Sequence, residues 1–201
     1  MNRQMIWVGV GLLILIAITT AGVILFGKPA DFRGTTYEDP YPVAREIELL
    51  RSDGSTFHLS DLRGETVLLF FGYTSCPDVC PTTLAELNQA MNQLGPTKAK
   101  QVKVLFVTVD PDRDTPERIQ QYLSNFNPSF IGLGGSLAQL SNVWQSYGVF
   151  REVVESGSSS GALINHTARV TLIDKNGNMR TSYSFDAPVE DIVHDINLLL
   201  K

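Results

Sequence analysis

An unbroken apolar stretch, Thr66-Val-Leu-Leu-Phe-Phe71, runs through Gly72-Tyr73-Thr74-Ser75-Cys76-Pro77-Asp78-Val79-Cys80 into a helix-like segment opening at Pro81. A strand apolar at successive positions has to be covered on both faces, which points to a sheet layered between helices. The strand-to-helix junction holds Cys76 and Cys80, the chain's only two cysteines. A turn of this kind is expected to expose both sulfurs. The helix start would add free backbone N–H groups and a positive dipole end, both of which favour thiolate. Thiolate is the form that attacks disulfides and binds soft metals.

The rest of the chain supports an α/β order. Glu46–Leu50 and Thr56–Leu59 flank Asp53-Gly54 as a hairpin, and Pro81–Leu94 carries Leu84, Leu87, Met91 and Leu94 at helical spacing before Gly95-Pro96 stops it. Val102–Val109 reads as a second buried strand. Thr115-Pro116 then caps and opens a helix to about Phe126, and Leu137–Tyr147 forms another. Ser156–Gly161 is a flexible loop by composition, and Arg169–Ile173 and Met179–Phe185 form a hairpin around Asp174–Asn178. Val189, Ile192, Val193, Ile196 and Leu199 mark an amphipathic terminal helix. The expected fold is a thioredoxin-like α/β sandwich with an N-terminal hairpin, a mostly parallel central sheet and helices on both faces.

Residues 5–26 carry no charge, a run of 22 residues or about 33 Å as a helix. An uncleaved anchor is favoured over a cleaved signal peptide, because the apolar run continues past Thr19-Thr20-Ala21. The expected layout is a short cytoplasmic tail (1–4), a transmembrane anchor (5–27), a Pro/Gly/Thr/Asp-rich linker (28–44) and one domain (45–201). That places the domain on the periplasmic side of a bacterial inner membrane. With Arg3 and Lys28 set aside, 14 basic residues face all 21 acidic ones, a net charge of about −7 that argues against nucleic acid.

Three residues separate the cysteines, one more than in thioredoxin-type motifs. This still permits a disulfide and also leaves room for two thiolates to hold one ion. A structural disulfide closing so short a loop would add little stability. A third ligand has to come from three histidines. His58 reads as packing within the first hairpin and His194 as a solvated helix residue. His166 lies between the Ser/Gly loop and the strand from Arg169, where the expected topology brings the chain beside the cysteine turn. Asp110 ends a buried strand at the carboxyl edge of the sheet, where α/β sites form. It is a candidate supporting acceptor along with Asp78, while Asp112 and Asp114 read as capping the next helix and its loop.

Three blocks resemble the Sco/SenC family of copper chaperones for cytochrome oxidase assembly. They are Phe71-Gly-Tyr-Thr-Ser-Cys76-Pro-Asp-Val-Cys80-Pro-Thr-Thr-Leu84, Val107-Thr-Val-Asp110-Pro-Asp-Arg-Asp114-Thr-Pro116-Glu117, and His166-Thr-Ala-Arg-Val-Thr-Leu-Ile-Asp174. The resemblance covers the domain from about residue 40. It implies Cys76, Cys80 and His166 as ligands for Cu(I) or Cu(II), with Asp110 in support. The implied recipient is the CuA site of cytochrome c oxidase subunit II, and the other partners expected for the chain are a copper donor protein and a thioredoxin-like reductant. On this reading the chain is a binding and transfer protein rather than a turnover enzyme. The competing reading is a thiol:disulfide oxidoreductase acting on the oxidase's copper-ligand cysteines, for which His166 would be dispensable. A thiol peroxidase and a copper or redox sensor are weaker alternatives.

Overall fold

The computed structural model describes residues 31–155 and 162–201, together with residue 12. The expected tail, nearly all of the expected anchor, and the Ser/Gly loop lie outside the described residues. Among those described, no helix is long and apolar enough to cross a membrane.

Along the chain, β1 (Thr35–Thr36) precedes a hairpin of β2 (Glu48–Leu50) and β3 (Thr56–His58), a 3-10 turn at Leu59–Leu62, β4 (Thr66–Gly72) and α1 (Val79–Ala99). Next come β5 (Val102–Thr108), α2 (Pro116–Ser124), β6 (Ile131–Leu133) and α3 (Leu137–Ser146). The antiparallel pair β7 (Arg151–Val154) and β8 (Leu163–His166) leads to β9 (Arg169–Ile173), β10 (Met179–Ser184) and α4 (Val189–Leu199).

Six strands form the central sheet in the order β1-β10-β9-β4-β5-β6. β4 is buried at all seven positions, as its composition requires, and pairs in parallel with β5 and antiparallel with β9. Parallel pairing extends only across β4, β5 and β6, so the sheet is mixed where a mostly parallel one was expected. Phe70 and Phe106, opposite each other in register, meet edge to face at 5.9 Å. α2 covers that face through Tyr122 against Phe106, at 6.3 Å between ring centres. The other face is covered by the end of α3, where Tyr147 lies 5.7 Å from Phe71. Burial of these aromatic and aliphatic side chains is the main stabilising term.

Local signals set several boundaries. Thr115 caps α2, its hydroxyl accepting from the Arg118 N–H at 3.3 Å, and Pro116 opens the helix. Ser136 and Gln139 form a capping box on α3. Gly95, at φ 72°, breaks α1 where Gly95-Pro96 was expected to stop it, although helical hydrogen bonding resumes to Ala99.

The boundary expected at residue 45 is displaced. The compact unit begins at Phe32, which is buried. β1 pairs with β10, the Ala44 N–H donates to the Gly177 carbonyl, and Pro42 accepts from the Met179 N–H. The stretch read as a free linker is therefore laid along the sheet edge. Its prolines and glycines suit an edge segment as well as they suit a tether.

Candidate metal centre

The site forms where the parallel strands end. After Gly72 the chain leaves β4, turns through Thr74–Asp78 and enters α1, which puts Cys80 in the first helical turn. Cys76 lies on the turn, partly exposed, and the Cys80 N–H donates to its sulfur at 3.4 Å. Cys76 thus occupies the place of a helix-capping acceptor, and both cysteines are free thiols. The expectation that the turn exposes both sulfurs holds only for Cys76. Cys80 points inward beneath the sheet end and is fully buried. A Cβ on Gly72 would lie 2.8 Å from the Phe106 ring and 3.0 Å from Cys80 Sγ, so glycine is what leaves room for that sulfur.

This asymmetry sets the protonation of the pair. Hydrogen bonding from the Cys80 thiol, assisted by backbone N–H groups of the helix start, lowers the Cys76 thiol to about 5. Cys80 is pushed well above the ordinary thiol range, because its proton is held in that hydrogen bond and because it is buried. Together they hold one thiolate and one thiol over the neutral range.

His166 is the last residue of β8 rather than a loop residue, and its Nε2 lies 3.8 Å from Cys80 Sγ. Nδ1 is 3.2 Å from the Ile164 carbonyl, which suits Nδ1–H as donor and leaves the Nε2 lone pair toward the Cys80 sulfur. Tyr73 holds the same strand: its hydroxyl accepts from the Ile164 N–H at 3.3 Å, and its ring meets His166 edge-on at 5.6 Å. An open pocket of about 230 Å³ lies between Cys76-Pro77-Asp78-Val79 on one side and Leu163–His166 on the other. A larger groove of about 490 Å³, lined by Met91, Pro96, Lys100 and Asn127, has no cysteine or histidine in its walls.

The other candidates divide. Asp78 is exposed at the rim of the pocket and caps nothing with its side chain. Asp110 is buried, and burial raises its carboxyl above the usual range although it bonds Arg113. Its carboxylate faces Arg113, whose guanidinium lies 5.8 Å from the centre of the Tyr73 ring, and its N–H donates to Thr108, which is bonded to Asp114. Asp112 is exposed. Asp114 does not cap the helix, a role taken by Thr115; its carboxylate turns inward to Thr74 and Thr108. His58 belongs to the separate β2–β3 hairpin. His194 is not simply solvated, since its Nδ1 lies 2.9 Å from the buried Asp195.

Tyr73 and Asp114 are the site residues that sequence reasoning missed. A tyrosine at the end of a buried strand needs a partner for its hydroxyl, and that was the available signal for Tyr73. Asp114 was read as capping the next helix and its loop, although the neighbouring Thr115-Pro116 already supplied that cap, and this redundancy was the available signal. Among the described residues, no three His, Cys, Asp or Glu side chains are gathered into a closed metal cluster. Cys76, Cys80 and His166 are the soft and borderline donors nearest to one.

A family model described as SCO1/SenC matches residues 35–201. The SCO2-like protein of Rickettsia prowazekii is 36% identical over 188 residues, covering 92% of this chain and 89% of that protein. Among solved structures, copper-bound ScoI of Bradyrhizobium japonicum is 33% identical with a TM-score of 0.71, covering 78% of this chain and 99% of that one. The apo Sco1 protein of Thermus thermophilus is 38% identical with a TM-score of 0.75, covering 85% and 98%.

Proposed function

The chain belongs to the SCO1/SenC family, and from that membership we propose that it carries copper on Cys76, Cys80 and His166 for delivery to cytochrome c oxidase. The observation that carries this reading is the 3.8 Å between Cys80 Sγ and His166 Nε2. Thiolate sulfur and imidazole nitrogen at about 2.3 and 2.0 Å from one ion, with a bond angle near 120°, are separated by about 3.7 Å. The separation therefore suits two ligands of a trigonal ion, and Cys76 lines the same pocket as His166. Two thiolates with one imidazole suit Cu(I), and an added oxygen suits Cu(II).

Copper is supported by the copper-bound relative and by the softness of the donor set. The recipient we propose is the CuA site of oxidase subunit II, with the domain held at the periplasmic side of the inner membrane by the segment at 5–27. The partly exposed Cys76 gives incoming ligands a place to attack the metal without unfolding the domain.

Lowering of the Cys76 thiol favours a second reading, in which the pair reduces disulfides. Cys76 thiolate would attack a partner disulfide and release one partner thiolate. Cys80, losing its proton, would then attack Cys76 Sγ and release the other. Two electrons pass to the partner and one Cys76–Cys80 disulfide remains. Cells lacking the protein separate the two readings. Under the delivery reading, oxidase activity is lost and returns with excess copper; under the reductase reading, copper does not restore it.

A further inference from the structure

The three residues preceding Cys76 are each tied by a hydrogen bond to the surrounding fold. Tyr73 is bonded to β8 through the Ile164 N–H. Ser75 Oγ accepts from Arg118 of α2 at 3.2 Å. Thr74 is held twice by Asp114: its N–H donates to Oδ2 at 3.0 Å and its hydroxyl donates to Oδ1 at 2.5 Å. Oδ2 also accepts from the Thr108 hydroxyl at 2.7 Å, and Thr108 in turn accepts from the Asp110 N–H at 2.9 Å. Arg118 Nε donates to the Thr74 hydroxyl at 2.9 Å and stands 4.0 Å from Asp114 Oδ1. One fully buried carboxylate thus locks the end of β5, the start of α2 and the turn that carries Cys76.

We infer that Asp114 is a positioning residue for the cysteine pair, setting where Cys76 Sγ stands relative to Cys80 and His166. The carboxylate touches no sulfur and acts through Thr74, two residues before Cys76. Charge-assisted bonds to a buried carboxylate are the strong kind, and an amide in its place cannot accept from all three donors. Asp114→Asn therefore frees the Thr74 end of the turn while keeping the side chain's shape. For copper the inference rests on the ligand set proposed above; its thiol readout does not.

The test compares full-length wild type with Asp114→Asn, Thr74→Val and Asp174→Asn. Asp174 is a matched control: a buried carboxylate holding the Asn176 and Asn178 N–H groups, each at 2.9 Å, in the turn between β9 and β10 at the opposite end of the sheet. Copper affinity, the thiolate-to-Cu(II) absorption band and the alkylation rate of Cys76 in reduced, copper-free protein are measured beside Tm. Asp114→Asn and Thr74→Val should weaken copper by about 10–100-fold, the range set by outer partners of metal ligands. They should also shift the band and change the alkylation rate severalfold, while Asp174→Asn lowers Tm and moves none of these.

Folded Asp114→Asn with copper affinity within twofold of wild type and an unchanged band overturns the inference, as does Asp174→Asn altering the site equally. If Asp114→Asn does not fold, Thr74→Val decides by the same criteria. If wild type binds no copper, the ligand reading fails, and the alkylation rates alone decide the positioning role.

Discussion

Cys76 and Cys80 stand one helical turn apart in opposite surroundings, one at a helix start beside solvent and the other sealed beneath Gly72 and Phe106. Lowered to about 5, Cys76 is thiolate from slightly acid pH upward, while Cys80 keeps its proton through the neutral range. Iodoacetamide should therefore label Cys76 first in the reduced, copper-free protein. The rate should fall as pH drops through about 5 and stay flat between about 6 and 8. A rate that rises through pH 8–9, as for an ordinary thiol, would contradict the assignment. His166→Ala should weaken copper by more than the roughly 10–100-fold that outer partners contribute, with Tm little changed, as a titration beside thermal melts would read. That these three residues come together was legible in the sequence because so few candidates compete: two cysteines and three histidines. The difference between the two sulfurs was not legible. It arises from packing against residues of β4 and β5 that no spacing within the turn reveals.

At the scale of elements, the site is a meeting of the β4–α1 junction with β8. β4 was legible because it is buried at every position, and α1 because its buried residues Leu84, Leu87, Met91 and Leu94 recur at helical spacing. β7 and β8 were not, since β7 is exposed at three of its four positions and its two apolar residues, Val153 and Val154, are adjacent and do not alternate. β6 has only three residues, one of them Gly132 packed under Ile119. Gly72→Ala tests the junction directly: the added methyl must displace Phe106 or the Cys80 sulfur. The expected cost is about 1–3 kcal/mol of stability, together with copper binding weakened beyond what the loss of stability explains. Chemical denaturation and a copper titration read both. Tyr73→Phe should leave the strand in place but free the Ile164 N–H, weakening copper without a comparable loss of Tm.

At the scale of the molecule, the segment before β2 belongs to the fold. The Asp195 carboxylate, fully buried, accepts from the Arg33 and Gly34 N–H groups at 2.9–3.0 Å and from the Tyr183 hydroxyl at 3.0 Å. It clamps the start of the domain to α4 and β10. Composition concealed this, because a Pro/Gly/Thr/Asp-rich stretch looks the same whether it hangs free or lies on a sheet edge. Asp195→Asn leaves buried donors without full partners and should cost about 1–3 kcal/mol, with copper affinity at the distant cysteine turn unchanged. Thermal melts and copper titration together check this, and weakened copper at intact stability would contradict it.

The central claim is that Cys76, Cys80 and His166 form one copper site, and a copper titration of the purified full-length chain tests it most directly. The reduced protein should bind one equivalent tightly, the protein with a Cys76–Cys80 disulfide none, and His166→Ala should bind far more weakly. Binding that ignores both the thiol redox state and His166 would contradict the account.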